Sequence, residues 1–155
     1  MKQIVKKIRK AYCRVLDYYP TTINGLKFKC DPHYIWFWRE VSSARWEPQT
    51  FNILTKFLKS NFIFCDIGAW IGLTVIYSAR KLKQVFCFEP DFIAYEHLLW
   101  NIRLNGLCNV MPFNAALTNY DDIRKMGSFG KSIGDSMTSL LIAEKIGNID
   151  VWCMK

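Results

Sequence analysis

Residues 61 to 72 read NFIFCDIGAWIG and residues 84 to 90 read QVFCFEP. Each begins as a short apolar run of the kind that forms a buried strand, and each run closes on an acid, Asp66 and Glu89. Between them stand Gly68 and Gly72, then Leu73, Ile76, Tyr77 and Leu82 on one helical stripe. The expected order is therefore strand over Asn61 to Asp66, glycine-rich turn, helix, and strand over Gln84 to Phe88. Working outward, Asp91 is placed to cap a helix with Tyr95, Leu98, Leu99 and Ile102 on its apolar face and Gly106 as its stop. Val110 to Phe113 reads as a third strand, leading into Asn114-Ala115-Ala116. Strands alternating with helices in this way predict an α/β fold with right-handed parallel crossovers.

Upstream, Lys2 to Leu16 has Ile4, Val5, Ile8, Tyr12, Val15 and Leu16 near helical spacing among six basic residues, which predicts an amphipathic helix. Its basic face either lies in solvent over a core or meets a membrane surface or a nucleic acid. Thr21 to Cys30 alternates around Asn24-Gly25, the signature of a β-hairpin. The aromatics Tyr34, Trp36, Phe37 and Trp38, with Trp46 beyond, read as a strand packed on both sides, the alternative being a stacking platform for bases. Pro48 precedes a helix over Thr50 to Leu58. Beyond Thr118 the pattern decays into an irregular segment, with one more possible strand at Ile149 to Met154.

A chain of 155 residues with 51% apolar content is neither disordered nor low in complexity, and its length suits one domain. Residues 1 to 60 carry 12 basic and 4 acidic side chains, whereas residues 61 to 155 carry 9 of each, so the whole excess of positive charge lies in the first part. The six cysteines stand singly and there are two histidines, which leaves no zinc-ligand spacing and predicts no metal site. Cys65 and Cys87 inside apolar runs point to a reducing compartment, hence the cytoplasm. No apolar stretch follows the basic start as a signal peptide requires, and the uncharged run Ile67 to Ala79 is too short to span a bilayer.

The candidate site is Asp66-x-Gly68-x-x-x-Gly72 with Glu89 at the tip of the next strand. Gly68 lets a ligand approach backbone amides, Gly72 lets the helix pack closely, and the helix start offers N–H groups. Glu89 lies 21 residues after Gly68, the offset at which an acid reaches the hydroxyls of a ribose. An adenosine-type ligand follows. An acid at position 66 would repel a pyrophosphate but suits the ammonium group of a methionine moiety, which favours S-adenosylmethionine over NAD. The bland alternative is an ordinary tight turn.

Phe64-Cys65-Asp66-Ile67-Gly68-Ala69-Trp70-Ile71-Gly72, the run Val85 to Pro90, Asn101 to Gly106 and Asn114-Ala115-Ala116 together resemble the FkbM-type class I methyltransferases, and Trp46-Glu47-Pro48 resembles that family's lead-in. The resemblance covers about residues 40 to 118. It implies a Rossmann-like class I methyltransferase sheet, first half only, with an N-terminal helix and β-hairpin before it. It implies S-adenosylmethionine as cofactor, held by Asp66, Gly68, Ala69, Trp70 and Gly72, with Glu89 on the ribose and Phe88, Pro90, Asn114 and Ala115 around the adenine. The family methylates hydroxyls, often of a sugar or small-molecule product, so a small molecule or glycan is the expected acceptor.

Two departures bear on that expectation. Trp70 replaces the family's asparagine and stands to crowd or cover the cofactor. The family's later strand, with its Asp-x-Glu-Gly motif, has no counterpart before Lys155. By the resemblance this is a cofactor half whose first strand forms an open edge, a place for a second copy or a partner subunit, with little methyl transfer of its own. Base candidates for deprotonating a hydroxyl are Glu47, His33 and Asp135, Glu47 being the best of a weak set; His97 falls on the polar side of its helix. The competing functions are an RNA base methyltransferase, which the basic first 60 residues suit, and an inactive cofactor-binding subunit.

Overall fold

The computed structural model describes residues 17–128, 134–142 and 149–155, so the basic helix expected over Lys2 to Leu16 lies outside the described residues, as does Cys13. The chain forms two compact units, residues 1–57 and 58–155.

In the first unit, β1 (Tyr19–Ile23) and β2 (Leu26–Cys30) pair antiparallel, as the Asn24-Gly25 signal predicts. Asn24 and Gly25 have φ of 44° and 83°, the two positive values that a two-residue turn between twisted strands requires. The aromatic cluster corrects the sequence reading, for it is helix and not strand. The Asp31 carboxylate accepts the His33 amide at 2.8 Å, Pro32 opens a single 3-10 turn, and α1 (Ile35–Ser42) continues from it. A strand would place Trp36 and Trp38 on the same face. The helix instead buries Phe37, Trp38 and Val41 and leaves Trp36 58% exposed. The Trp38 indole donates to the Asp31 carbonyl at 3.1 Å, and Phe37 meets the Trp46 ring edge-on at 4.9 Å. The local cap and the 3.6-residue spacing of Phe37, Trp38 and Val41 outweigh strand propensity. α2 (Pro48–Phe57) starts with proline in the first turn, where its missing N–H costs nothing.

The second unit contains β3 (Ile63–Ile67), α3 (Leu73–Ala79), β4 (Gln84–Phe88), α4 (Phe92–Leu104) and β5 (Val110–Phe113). The strands pair in the order β3-β4-β5, all parallel, which establishes the α/β crossover expected from the sequence. Register brings Phe64, Val85 and Val110 to one face, where they join Val75 and Ala79 of α3 and Leu98 and Ile102 of α4 in one core. The opposite face carries Ile63, Cys65 and Ile67 opposite Gln84, Phe86 and Phe88, and both isoleucines are about two-thirds exposed. Among the described residues β3 is the edge of this sheet.

The segment after Thr118, expected to be irregular, is a second sheet. β6 (Ala116–Leu117), β7 (Asp122–Ser128), β8 (Thr138–Ser139) and β9 (Ile149–Met154) lie in the order β6-β9-β7-β8. β9 occupies the bounds read from the sequence; β7 is the strand that reading missed. Its first four residues, Asp122 to Lys125, are exposed, and only Met126, Gly127 and Ser128 are buried. A strand so largely solvated shows no apolar alternation, and its partner β9 is distant in sequence. Met126 packs with Ala116, Ile149, Val151 and Cys153 in a core separate from that of the parallel sheet. No helix among the described residues is long and apolar enough to cross a membrane, and Cys30, Cys65, Cys87, Cys108 and Cys153 are free thiols.

Candidate functional site

The site forms where β3 and β4 end side by side. Ile67 pairs with Phe88, and the amides of Gly68 and Ala69 both donate to the Phe88 carbonyl, at 2.9 and 3.0 Å. The turn after β3 is thereby sewn to the tip of β4, and Glu89 faces it. Gly68 has φ 81°, is exposed, and nothing lies within 4 Å of where a Cβ would stand. It leaves an open approach to the backbone at that point.

Gly72 has a different task from the one expected. At φ 87° it precedes α3, and a Cβ there would overlap Leu98 Cδ1 of α4. The glycine therefore lets α4 close onto the turn, where the sequence reading had it bring α3 near its strand. Asn101, buried on the same helix, donates to the Ile71 carbonyl at 2.8 Å and ties the turn from that side. Asn101, quoted above only as part of the resemblance, is fully buried on an apolar helix face, where an amide must find a partner, and the Ile71 carbonyl is that partner.

Asp66 ends partly buried, its carboxylate accepting the Thr74 hydroxyl. Burial pushes its carboxyl above the ordinary range, and the Thr74 bond offsets part of that rise.

Glu89 is 5% exposed. Oε2 accepts the Trp70 amide at 2.7 Å and Oε1 accepts the Asp91 amide at 2.8 Å. Desolvation pushes the carboxyl up to about 7, against the two amide bonds that favour its charged form. A carboxylate oxygen has two lone pairs, so each Glu89 oxygen keeps one acceptor position for a ligand hydroxyl. Glu89 thus shapes the turn as well as facing whatever enters it.

Around the β4 tip, Asn114 donates to the carbonyls of Glu89 and Pro90 at 2.8 and 3.2 Å, Ala115 is buried, and Phe88 stacks on Phe113 at 4.8 Å with an 11° interplanar angle. The structure thus brings together Asp66, Gly68, Ala69, Trp70, Gly72, Phe88, Glu89, Pro90, Asn114 and Ala115, all at the carboxyl ends of parallel strands. That is where open α/β sheets bind ligands.

The base candidates have local partners. Glu47 is exposed at φ 39°; it accepts the Thr50 hydroxyl at 3.2 Å, and its carbonyl accepts the Thr50 amide at the start of α2. The exposed His33 ring meets Asp31 at 2.7 Å. Asp135 accepts the Ser128 hydroxyl at 2.6 Å and the Met137 amide at 2.7 Å. His97 is half-buried and stacks on Trp100.

Two further residues join the site: Asp91, expected from the sequence only as a helix cap, and Gly134, which carried no signal there. Asp91, fully buried, caps α4 through Oδ1 and accepts the Gly134 amide on Oδ2 at 2.7 Å. The Trp70 indole donates to the Gly134 carbonyl at 3.0 Å.

No family model matches the chain, so its FkbM-type resemblance rests on the residues quoted above. The uncharacterized protein MJ1452 of Methanocaldococcus jannaschii is 24% identical over 70 residues, which is 45% of this chain and 27% of that protein. Among solved structures, M. jannaschii TYW2 in complex with AdoMet is 22% identical with a TM-score of 0.44, over 68% of this chain and 52% of the other. The M. jannaschii tRNA m1G37 methyltransferase is 19% identical with a TM-score of 0.45, over 68% of this chain and 36% of the other. The Pyrococcus abyssi tRNA (uracil-54, C5)-methyltransferase with S-adenosyl-L-homocysteine is 12% identical with a TM-score of 0.45, over 66% and 28%. In each case this chain is similar to part of a longer protein, and it spans between about a quarter and a half of that protein's length.

Proposed function

We propose that residues 58–155 bind S-adenosylmethionine at the ends of β3 and β4 and serve methyl transfer. The observation that carries the reading is Glu89 held at 2.7 Å from the Trp70 amide, beside the open Gly68 turn. An acid with a spare lone pair on each oxygen, next to an uncovered glycine backbone, fits a ribose diol beside a methionine moiety. The bound cofactor supplies a methyl group on a sulfonium. The chain's own part is to orient it: Glu89 accepts the ribose hydroxyls, Asp66 offers negative charge toward the ammonium, and Phe88, Pro90, Asn114 and Ala115 edge the adenine side.

For the acceptor, the reading is RNA in preference to a sugar hydroxyl. Residues 1 to 16 hold six basic and no acidic side chains, a charge density suited to phosphate. The hydroxyl-methylating alternative is supported by the FkbM-type resemblance of Asp66 to Gly72. A partner strand on the free edge of β3 belongs to the same reading, and sedimentation of the purified chain tests it.

Calorimetric titration with S-adenosylhomocysteine tests the cofactor assignment. Glu89→Ala should weaken binding about tenfold to a hundredfold, the worth of charge-assisted bonds to a diol. No heat from a folded wild-type chain overturns the assignment. Binding to bulk tRNA that falls steeply with salt supports the RNA acceptor, and salt-independent or absent binding returns the acceptor to the hydroxyl class.

A further inference from the structure

Trp70 stands in the turn at φ 47°, a left-handed conformation in which a Cβ crowds the following carbonyl and which non-glycine residues seldom adopt. Strain of this kind persists where surrounding bonds hold it. Here the Trp70 amide is held by Glu89 and its indole N–H by the Gly134 carbonyl, at 2.7 and 3.0 Å. The Gly134 amide in turn reaches Asp91 at 2.7 Å. One buried glycine thus joins a residue of the turn after β3 to the residue that caps α4 beyond the β4 tip. Glu89, which belongs to neither contact with Gly134, lies in sequence and space between the two anchors and is 5% exposed.

We propose that Gly134 is a latch across the cofactor crevice, held shut by the Trp70 indole, and that a nucleoside ligand reaches Glu89 when the latch opens. The proposal rests on the S-adenosylmethionine reading above. It gives the tryptophan, where the resembling family has asparagine, a positioning role. The backbone of Gly134 crosses between the two turns and ties them through one donor and one acceptor. Ligand admission then breaks these two hydrogen bonds among the contacts that hold Gly134, and relaxation of the strained Trp70 backbone offsets part of that cost.

Trp70→Phe keeps an aromatic ring and deletes the indole N–H. Gly134→Pro deletes the amide that Asp91 accepts and cannot adopt φ 88°, so it opens the same latch from the other side. Two measurements read the outcome: hydrogen exchange of the Gly134 amide by NMR in the free wild type and Trp70→Phe chains, and the association rate of S-adenosylhomocysteine by surface plasmon resonance in all three. Trp70→Phe should raise both rates about three- to tenfold, the worth of one hydrogen bond, and Gly134→Pro should raise the association rate by at least as much. Unchanged Gly134 exchange in Trp70→Phe overturns the clasp. Faster exchange with an unchanged association rate overturns the gating role while leaving the cofactor reading intact. Gly134 exchange that rises in Trp70→Phe while no chain binds S-adenosylhomocysteine overturns the cofactor reading, and the gate with it.

Discussion

The two sheets of residues 58–155 reach their pairing by different routes. In β3-β4-β5 each strand is joined to the next by a helix, and side-chain amides secure the crossings. Asn101 donates to the Ile71 carbonyl at 2.8 Å, Asn109 to those of Ala79 and Leu82 at 2.9 Å each, and Asn114 to that of Glu89 at 2.8 Å. In the second sheet β7 and β9 run antiparallel and secure each other along their length from Asp122↔Cys153 to Met126↔Ile149, with Lys125 and Asp150 paired across at 2.8 Å. The parallel sheet carries the candidate site because its strands all end on one side, leaving two turns and an acid facing one another. An antiparallel pair sends its ends in opposite directions and creates no such crevice.

If the two cores are separate, breaking one should spare the other. The largest effect is expected at Met126, 2% exposed at the centre of the second core. Met126→Ala should cost about 2–5 kcal/mol in denaturant unfolding, with hydrogen-exchange protection lost in β7 and β9 and kept in β4. Equal loss in both sheets would make them one cooperative unit.

Gly72→Ala is the corresponding break in the parallel sheet. It forces a Cβ into a left-handed position and against Leu98, and should cost about 2–4 kcal/mol, with protection lost first in α3 and α4. Protection lost instead in β9 would show that the turn supports the second sheet.

Glu89 sharpens the contrast through pH. Its carboxyl is pushed up to about 7 in the folded chain, above the ordinary 4.5, so the folded state holds this proton more tightly than the unfolded one. The stability this group contributes is full below pH 4.5 and is lost as pH rises through 7. Urea unfolding from pH 5 to 8 should show that decline in the wild type and a flatter profile in Glu89→Gln. The variant should also be less stable than the wild type at pH 5, because its amide group faces a backbone N–H that now donates to the carboxyl, and the gap should narrow as pH rises.

The smallest effect belongs to the exposed Lys125–Asp150 pair. Lys125→Ala should change stability by less than about 1 kcal/mol, and a larger change would mean that this contact, and not the core, sets the register of β7 against β9.

Local signals made the parallel sheet legible. Phe62 to Cys65 and Val85 to Phe88 are short apolar runs, and both form strands; β4 is buried in part, whereas β3, expected to be buried, leaves Ile63, Cys65 and Ile67 exposed because nothing among the described residues covers that face. Asp91 caps α4 by accepting the Ile93 and Ala94 amides, as its position announces, and Asn24-Gly25 dictates its turn by backbone conformation alone. Each depends on residues within a few positions of one another, so one sequence suffices to read it. The turn at Asp66 to Gly72 and the acid at Glu89 were legible for the same reason, since one crossover of ordinary length brings two strand tips together.

What the tertiary structure decided has its cause elsewhere in the chain. Phe37 and Trp38 are strand formers by type, and their helix depends on the Asp31 cap and on burial of one face. β7 exposes Asp122 to Lys125 and is a strand because β9 pairs with it. Gly72 is required by Leu98 of α4, Trp70 is held by Gly134, and each oxygen of Glu89 accepts one amide that reaches it only after folding. The sequence by itself determined the hairpin, the order of strands, turns and helices from β3 to β5, and the chemical types at the candidate site. Contact between distant segments determined which groups are desolvated and which bonds they make, because burial and pairing are properties of neighbours in space.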